Sequence, residues 1–204
     1  MLKPPSAIIL GFSVFLALPG MTAQAIELNP FSIIKGAVEA VVEDRSSDDI
    51  KKDLGIKVSI TADVIDKMGT DVISLSADVY EQDVMLTGVV ETAKQRKQIE
   101  KLTRAIDGVK KIYNDVLVIK AVDKKKGAVE GFVDDTVIES KINALLLDAK
   151  GVNVTNFRWR SVGGRVYLFG RALSKPELSK AVGIVKTIKD VTKVTNRVKI
   201  RPKG

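Results

Sequence analysis

Three short stretches in the second half of the chain carry most of its chemical character. Arg158 and Arg160 alternate with Phe157 and Trp159. Tyr167, Phe169 and Arg171 alternate with Val166, Leu168 and Gly170. Arg197, Lys199 and Arg201 alternate with Val198 and Ile200. If these are strands, a period of two puts the cations and the two rings on one sheet face and the apolar set on the other. Guanidinium groups offer paired donors to phosphate, and aromatic rings sit well at a headgroup boundary. The pattern describes a platform for an anionic partner. The same alternation is equally compatible with a face covered by another part of the chain, its arginines paired with acids there.

Other chemistries find little support. The chain has no His and no Cys, which removes the usual zinc, copper and haem ligands as well as disulfides. It shows no glycine-rich phosphate loop and no serine elbow. The paired acids Asp48-Asp49 and Asp134-Asp135 stand where helices are expected to start, and capping accounts for them. No catalytic residue, metal site or cofactor is assigned, and the chain reads as a binding protein rather than an enzyme.

The elements that must position the platform come from an internal repeat. Residues 53–119 shifted by 82 positions fall on 135–201 without a gap: Asp53 on Asp135, Ile60 on Ile142, Leu86 on Leu168, Gly88 on Gly170, Asn114 on Asn196, Val116 on Val198. These are fold-setting positions, so one small domain is used twice, each copy with its own core. In the first unit Ile56, Ile60, Val64 and Met68 follow helical spacing up to Gly69. Strands are expected from Ile73 to Val79 and from Val84 to Val90, around a turn at Glu81-Gln82-Asp83. Thr92 caps a second helix with Ile99, Leu102 and Ile106 inward, and a strand over 109–120 follows. The second unit repeats the order, with Asp134 or Asp135 as the first cap. Its strands are expected near 152–162 and 165–171, joined by Gly163-Gly164, then a helix opened by Ser174 and Pro176 and a strand over 191–201. The fold class is α+β: two tandem αββαβ domains, over 49–122 and 131–204, joined by a hinge at 123–130 around Lys124-Lys125-Lys126-Gly127.

Ahead of them, residues 1–25 read as a secretory signal peptide, with Lys3, an apolar run from Ala7 to Leu18 and a cleavage site after Ala25. Residues 26–48 hold one amphipathic helix, expected from Ser32 to Val42 and packed on the first unit. Charge divides the two units. Residues 26–123 hold 14 Lys+Arg against 18 Asp+Glu, a net of −4, whereas residues 124–204 hold 18 against 7, a net of +11. Opposite charge on two copies of one fold points to different tasks.

The strands Val84-Met85-Leu86-Thr87-Gly88-Val89-Val90 and Val166-Tyr167-Leu168-Phe169-Gly170-Arg171-Ala172 resemble the V-x-L-x-G-x-V strand of BON domains. Gly108 to Val116 and Asp190 to Val198 resemble that domain's GV-x-x-V-x-N-x-V ending, with Asp190 in place of its glycine. The resemblance implies a three-stranded mixed sheet with two helices on one face, and a protein of a Gram-negative periplasm. Tandem proteins of this kind include osmotic-stress proteins and an outer-membrane lipoprotein that binds anionic phospholipid and supports envelope integrity. In the lipoprotein type the start of the second unit's first helix meets lipid. Here that segment holds Val137, where the type has an aromatic residue, and Lys141, together with Asp134, Asp135 and Glu139, which would repel an anionic bilayer. The chain also lacks the lipidated Cys of that type, so any membrane contact is expected to be peripheral.

Gly88, Gly170, Asn114 and Asn196 are expected to be structural, the glycines permitting the close approach of a helix or a bulge and the asparagines serving as turn or backbone-bonding residues. The leading expectation is a non-catalytic periplasmic protein that binds anionic phospholipid through its basic second unit, on Arg158, Arg160, Tyr167, Phe169, Arg171, Arg197, Lys199 and Arg201, with Val137 and Lys141 as a second contact. The alternative is a stress or chaperone-like protein that binds envelope proteins through an open face of the first unit, on Met85, Val89, Leu117 and Ile119. Nucleic acid is not expected as a partner of an exported chain.

Overall fold

The computed structural model describes residues 44–69, 74–119 and 134–202. The expected signal peptide, the Ser32–Val42 helix and the 123–130 hinge lie outside the described residues.

Helix α1 runs from Ser47 to Met68 and buries Asp53, Ile56, Ile60, Val64 and Met68 on one side. Its cap is Ser46, whose hydroxyl oxygen accepts from the Asp49 amide at 3.1 Å, so the helix begins ahead of the expected start near Asp49. Strands β1 (Ser74–Tyr80) and β2 (Asp83–Val90) form an antiparallel hairpin. Helix α2 (Ala93–Arg104) is opened by a capping box of Thr92 and Gln95. The chain then returns parallel to β2 as two short strands, β3 (Lys111–Asn114) and β4 (Leu117–Val118).

The second unit repeats this order. It comprises α3 (Asp135–Asp148), β5 (Phe157–Val162), β6 (Arg165–Ala172), α4 (Lys175–Lys186), β7 (Lys193–Asn196) and β8 (Lys199–Ile200). Each unit is a mixed sheet with two helices on one face, as the repeat implies.

Each final strand is broken rather than continuous, and an asparagine sits at each break. The Asn114 side-chain oxygen accepts from the Val116 amide at 3.4 Å and its amide donates to the Arg96 carbonyl at 3.2 Å. Asn196 accepts from the Val198 amide at 2.9 Å. The expected strand over 152–162 is also shorter. Val154–Asn156 forms a single 3-10 turn before β5, although Val152 and Val154 imitate alternation.

Each helical face has its own apolar core. The first gathers Ile56, Ile60, Val64, Val84, Leu86 and Ile99; the second gathers Ile138, Ile142, Leu146, Phe157, Val166 and Leu168. One carboxylate per unit ties the first helix to the hairpin turn. Asp53 accepts from the Glu81 and Gln82 amides, both at 2.7 Å. Its counterpart Asp135 accepts from the Gly163 and Gly164 amides at 2.7 and 3.0 Å and from the Ser161 hydroxyl at 2.6 Å. Asp134 alone is therefore the cap of α3, accepting from the Thr136 and Val137 amides. In the first unit the turn residues Glu81 and Gln82 hold φ of 51° and 65° without being glycine, a strained pair that the Asp53 bonds fix in place.

Gly88 and Gly170 are required by the neighbouring strand segment, not by a helix. Their φ values are 125° and 105°, and an added Cβ would lie 2.0 Å from the Ser74 carbonyl oxygen and 2.2 Å from that of Asn156. Gly170→Ala is expected to destabilise the protein by about 3 kcal/mol or more, because both backbone strain and a backbone clash must be relieved. Urea denaturation measures this; an unchanged midpoint would show that residues 156–157 yield freely.

Candidate functional site

The sheet faces not covered by helices meet each other. Tyr80 and Met85 of the first unit pack with Tyr167 and Phe169 of the second in one buried cluster, with Tyr113 and Val162 beside them. Phe169 is met edge-on by Tyr80 at 6.5 Å and by Tyr113 at 5.9 Å between ring centroids. The layers run helices, sheet, sheet, helices.

The sequence-derived basic face is therefore covered. Arg160 donates to Asp78 at 3.0 Å and to the Ser76 hydroxyl at 2.7 Å. Arg197 makes a bidentate pair with Asp115 at 3.0 and 2.8 Å. Lys199 pairs with Asp83. Arg171 reaches Glu81 at 3.3 Å and the Asp44 carbonyl at 3.0 Å, and Arg201 reaches Glu81 at 2.6 Å. Arg158 donates to the Thr155 and Phe157 carbonyls and lies 5.6 Å from the Tyr80 ring centre. Alternation assigned these side chains to the right face. What overturns the open platform is the acidic sheet of the first unit, which neutralises them. The apolar face expected on the first unit is covered only in part: Met85 is buried in the contact, whereas Val89, Leu117 and Ile119 are half-buried.

Residues just ahead of the first repeat seal the edge of this interface. The Asp44 carboxylate accepts from the side-chain amides of Asn153 and Asn156 at 2.9 and 3.0 Å. Asn156, fully buried, also accepts from the Tyr80 hydroxyl at 3.2 Å. Arg45 pairs with Asp53 and lies 4.0 Å over the Tyr80 ring centre. No periodicity marks these polar contacts, so the sequence reading passed over them.

Val137 and Lys141 lie elsewhere, on the outer side of α3 and facing solvent. Val137 is 44% exposed and Leu147 69%, with Leu145 between them at 45%. Two of the three acids that would repel an anionic surface are turned inward. Asp135 is held by the hairpin turn, and Glu139 accepts from the Ser161 amide at 2.8 Å and faces Arg160 at 3.8 Å. Burial pushes the Glu139 carboxyl above its ordinary range, against the opposing pull of the Ser161 amide and Arg160. Beside it, the Asp78 carboxylate raises the Arg160 guanidinium further.

The two sheets, their helix order and the recurring glycines agree with a sequence match to the BON domain over residues 52–120 and again over 134–202. The chain belongs to the BON-domain family. It is similar to osmotically-inducible protein Y of Escherichia coli strain K12, 28% identical over 149 residues that cover 73% of each chain. An Anaplasma centrale protein, described only as an uncharacterized protein in the gshII 5′ region, is 32% identical over 128 residues, covering 63% of this chain and 82% of that one. Two solved structures of CdsD, a structural protein of the Chlamydia trachomatis type III secretion system, align over 71% of this chain and 91% and 96% of theirs. They do so at 10% and 12% identity, with a TM-score of 0.32 for each, a likeness too low to carry an inference. The tandem BON arrangement and the similarity to the osmotically-inducible protein place the chain with tandem BON-domain osmotic-stress proteins.

Glu139 gives the second BON domain a pH dependence of definite sign. Its folded-state pKa is raised, so the fold favours the neutral form. The cost of ionising it is absent below the unfolded carboxylate value of about 4.3. That cost grows as pH climbs from there through the raised folded value, and is constant above it. Glu139→Gln keeps an acceptor for the Ser161 amide and removes the charge. It is expected to melt at a higher temperature than the parent at pH 7 and at the same temperature at pH 4. A difference independent of pH would contradict the assignment.

Proposed function

We propose that this chain is a non-catalytic, periplasmic osmotic-stress protein that engages anionic phospholipid surfaces peripherally through the outer side of α3 in its second BON domain. The observation that carries this reading is the exposed set Val137, Leu145 and Leu147 beside Lys141, on a helix whose inner acids Asp135 and Glu139 are held by its own domain. The charge balance supports it. Most cations of the sheet face meet acids of the first domain, and Lys141, Lys150, Lys175, Lys180, Lys186 and Lys189 face solvent from the helices of the second domain and the loops beside them. Glu177, the acid of α4, is buried and accepts from the Asn153 and Leu173 amides. A few lysines at roughly 1 kcal/mol each near an anionic membrane, with shallow apolar contacts, make a reversible and salt-sensitive attachment.

A second reading keeps one observation of its own. Leu54, Val58 and Ile65 form an exposed apolar stripe on the outer side of α1, Val58 being 59% exposed. That stripe suits an envelope-protein partner of the first BON domain, in place of the partly covered sheet face.

Flotation with vesicles tests the lipid reading. The protein is expected to float with phosphatidylglycerol-containing vesicles at low salt, and not with pure phosphatidylcholine or at high salt. Lys141→Glu/Lys180→Glu and Val137→Glu/Leu147→Glu should each abolish flotation while leaving thermal stability near that of the parent. No flotation of the parent protein would overturn the lipid reading and direct attention to the α1 stripe.

A further inference from the structure

The two ion pairs at the heart of the interface join repeat-equivalent positions. Asp78 meets Arg160 and Asp115 meets Arg197, each 82 residues apart, which is the offset of the repeat itself. The sheet registers extend the relation. Asp78 stands opposite Met85, and Met85 opposite Tyr113. Arg160 stands opposite Tyr167, and Tyr167 opposite Thr195. The row Asp78–Met85–Tyr113 thus lies against the row of its own equivalents, with Met85 and Tyr167 in the same cluster. When residues meet their equivalents at several points, the two bodies are related by an approximate two-fold axis, and the contact is the isologous kind that joins identical subunits.

Charge breaks that symmetry. Pairing two first units in this geometry would set Asp78 against Asp78 and Asp115 against Asp115; pairing two second units would set arginine against arginine. Like charges brought together in a partly buried contact are costly, so each face accepts the other unit and rejects its own kind. Nothing in the contact depends on the two units sharing one chain. The cores of the two units are separate from the interface cluster.

We propose that this sheet face is a transferable docking surface: the first BON domain of one copy accepts the second BON domain of another copy through the same contacts, giving a reciprocal dimer in which Asp78 and Asp115 select Arg160 and Arg197.

The test uses two full-length variants and their mixture. Asp78→Arg/Asp115→Arg carries arginine on both faces, and Arg160→Asp/Arg197→Asp carries aspartate on both. Each alone is expected to be monomeric and more extended than the parent by small-angle X-ray scattering, with unchanged far-UV circular dichroism. Mixed in equal amounts, they satisfy every pair only in trans and should form a 1:1 complex of twice the monomer mass by light scattering. A chain carrying all four substitutions restores the pairs in cis, and should return to a closed monomer; it separates lost pairing from lost folding. Variants that remain closed when alone, a mixture that stays monomeric, or a four-fold variant that fails to close would each overturn the proposal.

Discussion

Asp78 against Arg160 and Asp115 against Arg197 hold together two sheets that would otherwise each show water a face of unsatisfied chemistry. The apolar cluster of Tyr80, Met85, Tyr167 and Phe169 supplies the non-directional attraction, since burying each such side chain is worth about 2 kcal/mol. The charges supply direction, because a guanidinium in a partly buried contact is tolerated only where a carboxylate meets it. From this constraint the rest of the arrangement follows. With the two sheets turned toward each other, the opposite net charges of the two halves largely cancel where they touch.

That cancellation changes what the overall basic charge means. Summed over the chain, the second half looks like a cationic platform. In three dimensions its arginines are mostly spent on the first half, while most of its described lysines face solvent, Lys199 beside Asp83 being the exception. The division follows the chemistry of the two side chains. Arginine makes planar, bidentate contacts that survive partial burial, as Arg197 does with Asp115, whereas a lysine ammonium is strongly hydrated and favours open surface.

Much of this was legible in the residues. Helical spacing located the core positions of α1, alternation assigned Arg160, Tyr167 and Arg197 to one face, and the 82-residue offset gave two units. Alternation could not say what lay over that face, because a lipid and a second sheet demand the same pattern. The pairing signal was nevertheless present: Asp78 and Asp115 occupy the positions whose equivalents are Arg160 and Arg197. The roles of Asp53 and Asp135 were hidden for another reason. A carboxylate at a helix start is explained by capping, and only the hairpin's return beside the helix shows that both reach across to the turn. The Asp44 contacts join residues more than a hundred positions apart, beyond the reach of any local pattern.

Those Asp44 contacts carry a mechanical consequence. Asp44 precedes the first domain in the chain yet bonds to Asn153 and Asn156 of the second, while its neighbour Arg45 is fixed to Asp53 and Tyr80 of the first. A pull on the chain from its amino-terminal side is therefore shared between both domains at the seam before it reaches either core. The force would shear a cluster of short polar bonds in parallel, instead of unravelling α1 turn by turn.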